Sequence, residues 1–179
     1  MIRVTLPGSN QLLSRGIIID ATGTALVDRN ALAAASSDKF DAILPSGERV
    51  TASLQATTST SSPLAVLNLA VGTSTDFVPA TLADISKLSL GQSVVRIGGK
   101  GADMVGSGVV AMLPTSDAPN LIMSSVSSAT PGSVLINIFG EVIGLTTAAS
   151  ALVGDTAYTI ASLPQTSTPA ASSSETPSP

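Results

Sequence analysis

The sequence predicts an all-β protein of the sandwich or barrel kind. Apolar, β-branched runs of roughly four to eight residues recur along the chain, punctuated by Gly, Pro, Ser, Asp and Asn. Turn signals return about every 8–12 residues, the spacing of short strands in such folds. The hydrophobic content is 44% with only 2% aromatic residues, so the core is aliphatic. A mean hydropathy of +0.45 excludes general disorder despite the net charge of -4.

Taken in order, strands are expected near Gly16–Ile19, Ala25–Val27, Lys39–Leu44, Arg49–Ala56, Leu64–Leu69, Ser93–Ile97, Met104–Leu113, Leu121–Ser125, Val134–Ile138, Glu141–Thr146 and Ala157–Ile160. Asp20-Ala21-Thr22-Gly23, Pro45-Ser46-Gly47-Glu48 and Phe139-Gly140 supply hairpin turns. Gly106-Ser107-Gly108 predicts a bulge or barrel corner. Two segments break the pattern. Asn30–Ser37 is Ala-rich and fits one helical turn. Pro79–Leu90, with Leu82, Ile85 and Leu88 three apart, fits a short helix or an extended connector between two halves. The expected division is residues 1–79, residues 80–164, and a disordered Pro/Ser/Thr-rich tail or linker over 165–179.

Composition excludes several chemistries. The 179 residues contain no His and no Cys. A His/Cys zinc site, a disulfide, a thiol nucleophile and an imidazole base are all ruled out. No calcium-loop spacing is present, and Gly98-Gly99-Lys100-Gly101 lacks the spacing of a phosphate loop, so no cofactor or metal is expected. Eight Lys and Arg residues, scattered, argue against a nucleic-acid partner. Arg96 and Lys100 read as a solvated strand edge and loop. The longest apolar runs, such as Leu64–Leu67 and Gly16–Ile19, are far below the roughly 20 residues of a spanning helix, so no membrane insertion within this chain is expected. Met1–Gln11 lacks a signal-peptide pattern. The 27 Ser and 19 Thr, with few Lys and Glu, suggest an extracytoplasmic setting, periplasmic or cell-surface.

Seven segments, in order from about Gly16 to Leu163, resemble the bacterial HtrA-like serine proteases of the trypsin-like group. They are Gly16–Gly23, Phe40–Val50, Leu64–Leu67, Ala83–Gly98, Gly106–Val110, Asn137–Gly144 and Tyr158–Ala161. The resemblance implies a double six-stranded antiparallel β-barrel of the trypsin-like protease type. It also locates the family's triad on this chain. Asn30 stands where the base is expected, in Val27-Asp28-Arg29-Asn30, and an amide takes no proton near neutral pH. Pro63 stands at the acid position before Leu64. In Pro131-Gly132-Ser133-Val134, gapless alignment from Asn137 puts Pro131 at the nucleophile position. Alignment on Pro131-Gly132 puts Ser133 there instead. A Pro also lacks the N–H that an oxyanion turn needs.

The expectation is therefore a noncatalytic homologue of these proteases. It would hold a protein or extended peptide in the cleft between the barrels, or serve as an assembly domain. A second reading is a sensor or stalk module of a longer membrane-anchored surface protein. A third is a serine hydrolase with an unusual base, with Asp28 beside Ser133 as the candidate dyad. Elsewhere the aspartates sit at predicted turns and Glu141 at a hairpin surface.

Overall fold

In the computed structural model, residues 1–55, 62–70, 77–98, 104–127 and 132–162 are described. The Pro/Ser/Thr-rich tail and Pro131 lie outside them. Six strands form the first closed barrel: β1 (Ile2–Thr5), β2 (Leu12–Ile18), β3 (Thr24–Asp28), β4 (Lys39–Ile43), β5 (Arg49–Leu54) and β6 (Leu64–Leu69), in spatial order β1-β2-β3-β6-β5-β4. Six more form the second: β7 (Ser93–Gly98), β8 (Met104–Met112), β9 (Leu121–Ser124), β10 (Val134–Asn137), β11 (Val142–Leu145) and β12 (Ala157–Ile160), in order β10-β11-β12-β9-β8-β7. Every strand pairing is antiparallel. The all-β, double-barrel expectation is met.

Side-chain alternation explains where each strand faces. In β4, Phe40 and Ala42 are buried while Lys39 is exposed; in β5, Val50 and Ala52 are buried. These fill the first barrel together with Ile2, Val4, Ala25, Val27, Ala65 and Leu67. β3 and β6 read instead as continuous apolar runs because both of their faces are covered. Ala25, Val27, Ala65 and Leu67 point into the barrel. Leu26, Leu64 and Val66 point the other way, into a cluster with Val134, Val142, Leu145 and Ala161 of the second barrel. This seam joins the barrels. Each buried Leu, Val or Ile there contributes about 1.5–3 kcal/mol, as an upper estimate.

Several local expectations are corrected. β1 was absent from the sequence reading; Ile2, Val4 and Thr5 are buried and paired to β2 and β4. β2 begins at Leu12, earlier than expected. The Ala-rich segment forms α1 (Arg29–Ala33), capped by Asp28. The connector is extended: the Ala80 amide donates to Ile18 O at 2.8 Å, and Leu82 bridges Val142, before a single 3-10 turn at Ile85–Lys87. A second helix, α2 (Ala148–Val153), follows β11. Gly106 and Gly108 lie in regular register with Arg96 and Val94, and the β8 irregularity falls between Val110 and Met112.

Candidate functional site

The seam between the barrels collects most of the positions singled out by sequence. β3 runs directly into α1, and Asp28 is the junction. Its side chain is 1% exposed. Oδ1 accepts the Asn30 amide at 3.1 Å, capping α1, while Oδ2 accepts the Ala148 amide at 2.9 Å from the first turn of α2. One carboxylate of the first barrel therefore satisfies a helix-end N–H in each half. Burial pushes the Asp28 carboxyl above its ordinary 3.8, and the amides of Ala148, Asn30 and Ala31 pull back against it. With both oxygens engaged by backbone N–H groups, Asp28 is a structural staple, and no hydrogen bond links it to Ser133 among the described residues.

Asn30 and Pro63 are brought together by the residue between Asp28 and Asn30. The Arg29 amide donates to Pro63 O at 3.0 Å, its Nε to Ser62 O at 2.6 Å and its Nη2 to Leu64 O at 3.1 Å. The start of β6 is thereby held against the start of α1. Asn30 itself is exposed on the first turn.

Ser133 sits across the seam and is 0% exposed. It continues β10 by one residue: Val134 faces Ile97, which puts Ser133 opposite Gly98. A methyl added to Gly98 would collide with the Ser133 side chain, so Gly98 is what lets the two strands close here. The Ser133 carbonyl accepts the Thr146 amide at 2.8 Å, and the Gly132 amide donates to Thr146 O at 2.8 Å. Gly132 has φ +78°, and a Cβ there would lie 2.6 Å from the Arg15 amide nitrogen of β2. Only glycine combines that backbone with so close an approach. Two residues beyond Thr146, Ala148 meets Asp28. Ser133 and Asn30 thus belong to one hydrogen-bonded region, but Ser133 is packed within the strand and is not presented to solvent.

The sequence reading missed Asp28 as a staple and misplaced Arg96. Arg96 is not a solvated strand edge. It is 7% exposed and shares the buried parity of Val94 and Gly98 on β7, so it points into the second barrel. The Val94-x-Arg96-x-Gly98 alternation carried that signal. Its neighbour Tyr158 is 0% exposed and donates its hydroxyl to Val126 O at 3.0 Å. Burial pushes that phenol up to about 12, while Ser124 and Arg96 pull it down. No group of His, Cys, Asp and Glu able to hold a metal occurs among the described residues. No helix among them is long and apolar enough to cross a membrane.

The model of the trypsin-like peptidase domain family matches residues 15–145. The chain belongs to the trypsin-like peptidase family. Solved structures agree on the fold of this peptidase-family chain. A structure described as the HtrA-type protease AlgW with a decapeptide superposes with a TM-score of 0.65 at 20% identity, covering 84% of this chain and 48% of that one. Deg5 superposes with a TM-score of 0.61 at 21% identity, covering 81% and 76%. The chain thus spans about half the length of the AlgW chain. No curated protein sequence matches it. At these identities the structures establish the double barrel alone.

Proposed function

We propose that this trypsin-like domain is noncatalytic and binds a protein or extended peptide along the inter-barrel cleft or serves as an assembly domain. The observation that carries the reading is the absence of His from all 179 residues, with Asn30 at the base position. Hydrolysis by a serine of this fold needs a base to take the hydroxyl proton, and an amide does not serve. The burial of Ser133 and the engagement of both Asp28 oxygens by backbone amides support the same reading against an Asp28–Ser133 dyad. Peptide binding is supported in general terms by the AlgW structure, which holds a decapeptide. An extracytoplasmic setting fits the Ser/Thr-rich composition.

The test uses the full chain. It is incubated with a fluorophosphonate serine probe and with an unfolded protein substrate, beside Ser133→Ala. Neither labelling nor cleavage above the Ser133→Ala background is expected. Cleavage that Ser133→Ala abolishes would overturn the proposal.

A further inference from the structure

One end of the first barrel holds a cavity that the seam does not account for. β4 and β5 pair in the register Lys39↔Ser53 and Phe40↔Ala52, so Asp38 and Leu54 face each other one step beyond the last pair. The Leu54 amide donates to Asp38 O at 3.1 Å and fixes that step. Alternation puts both side chains on the face of Phe40 and Ala52, which fill the barrel, while Lys39 and Ser53 take the opposite face. The cavity lies at this mouth, with a volume of about 380 Å³. Leu32, Ala33, Leu54 and Ala65 supply its apolar lining. Leu32 and Ala65 are buried members of the barrel's own cluster, so the cavity opens onto the interior of the first barrel. Its volume falls within the roughly 300–1,000 Å³ of ligand sites, and barrel mouths are a recurrent place for them.

The polar lining sits at the rim. Ser36, at φ +49°, turns the chain from the end of α1 toward Asp38. The Ser37 hydroxyl is used locally, donating to Lys39 O at 2.7 Å and accepting the Lys39 amide at 3.2 Å. Two charges also line the mouth. Arg29, on the β3–β6 side, gives Nε to Ser62 O and Nη2 to Leu64 O, so its guanidinium is turned to main-chain carbonyls. Asp38, on the β4–β5 side, is exposed, and the Arg49–Asp41 and Lys87–Asp84 ion pairs leave it out. Residues 56–61, between β5 and β6 in the sequence, are all Ala, Thr or Ser and bring no charge.

We propose that this mouth takes a basic side chain, a lysine or arginine of a polypeptide partner, with its alkyl stem in the cavity and its cationic head at the Asp38 carboxylate. Such side chains bury an apolar stem while the charge stays at the edge of water, which matches an apolar floor under an acidic rim. The rim residues Ala33, Ser36 and Asp38 are exposed, so the site encloses one side chain and leaves the rest of its bearer outside. A free small ligand would instead bury about 70–90% of its surface. The site does not depend on whether Ser133 is reactive or on whether the inter-barrel cleft holds a peptide.

The experiment follows the assigned backbone amides of the full chain by NMR. The titrants are capped Gly-Lys-Gly and Gly-Arg-Gly peptides, the norleucine and glutamate counterparts, and n-butylammonium. The Lys or Arg peptide is expected to shift the amides of Leu32, Ala33, Asp38 and Leu54 saturably, the norleucine peptide more weakly and the glutamate peptide not at all. Asp38→Asn should lower the affinity for the basic peptide to the norleucine level, a loss of roughly two- to fivefold, as fits an exposed ion pair. Ala33→Leu adds bulk to the cavity from an exposed helix position and should abolish binding of every peptide while the barrel stays folded. n-Butylammonium, without flanking main chain, should bind more weakly than the Lys peptide; equal or tighter binding would overturn the assignment to a polypeptide. Equal response to lysine and norleucine, basic-peptide binding unchanged by Asp38→Asn, a response to the glutamate peptide alone, or shifts confined to Gly132 and Ala148 at the seam would overturn the proposal. The last of these would leave the cleft reading standing.

Discussion

The first barrel closes around Phe40, Leu67, Val4, Ile2 and a set of alanines, while its strands also bury Thr5, Ser14, Arg15 and Asp28. The second closes around Leu135, Ile143, Ile122 and Val94, and admits Arg96, Tyr158, Ser124 and Ser133 among them. One topology therefore carries two interiors. The hydrophobic cluster of the first holds aliphatic side chains and two phenylalanines, whereas that of the second includes Tyr158 with its hydroxyl. The second spends part of its interior on polar groups, which cost free energy unless paired. Protein scaffolds tolerate such groups where a neighbouring element completes them: Asp28 completes α2, and the carbonyls of Gly98 and Met104 accept from Arg96.

The contrast can be tested at graded strength. Phe40→Ala, in the first barrel, should cost about 3–5 kcal/mol in urea-induced unfolding, because it opens a cavity among fully buried apolar side chains. Asp28→Asn keeps the size of the side chain but turns one acceptor into a donor facing a backbone N–H. It should cost about 1–3 kcal/mol. Amides at the start of α2, including Ala148, should then exchange hydrogen faster, whereas those of β4 and β5 should not. Tyr158→Phe should cost only about 0.5–1.5 kcal/mol, because Val126 O keeps the Ser124 hydroxyl at 3.0 Å as a donor. A loss from Tyr158→Phe equal to that from Phe40→Ala would erase the distinction between the interiors.

The smallest effect is in pH dependence, where two aspartates act in opposite directions. Asp20, in the β2–β3 turn, feels some burial. The Thr24 and Thr22 hydrogen bonds outweigh it and bring the carboxyl from 3.8 down to about 2. Its stability contribution is present above pH 3.8 and lost as pH falls toward about 2. Asp28 is raised by burial, so the folded state holds its proton to higher pH than the unfolded chain does. Its contribution is fully present below 3.8 and declines as pH rises through the raised folded value. Comparing unfolding free energies of the parent and Asp28→Asn across that window should show the parent losing relative stability as pH rises. A difference independent of pH would remove the titration from Asp28.

Much of the fold was legible. Leu64–Leu69 and Ala157–Ile160 were read with their observed ends because apolar, β-branched runs bounded by turn residues leave little choice. β1 was not legible, since Ile2-Arg3-Val4-Thr5 is too short and mixed to declare itself without β2 and β4 beside it. α2 was hidden in an Ala/Ser/Leu stretch of six residues that has no amphipathic period; its Thr147–Ser150 capping box and the Asp28 carboxylate hold it. At the candidate site, Asn30, Pro63 and Ser133 are singled out by resemblance alone. Asp28 as a staple was not, because its partner lies 120 residues away in sequence.

The sequence by itself determined that no imidazole chemistry can occur here, that the chain builds short strands, and that its core is aliphatic. Those are properties of residue type and local period, and they need no partner in space. Tertiary structure alone decided that Ser133 is sealed against Gly98, that Asp28 spans the seam, and that Arg96 turns inward. Each of these depends on which strand closes against which, and only barrel closure brings such distant residues into one low-dielectric interior.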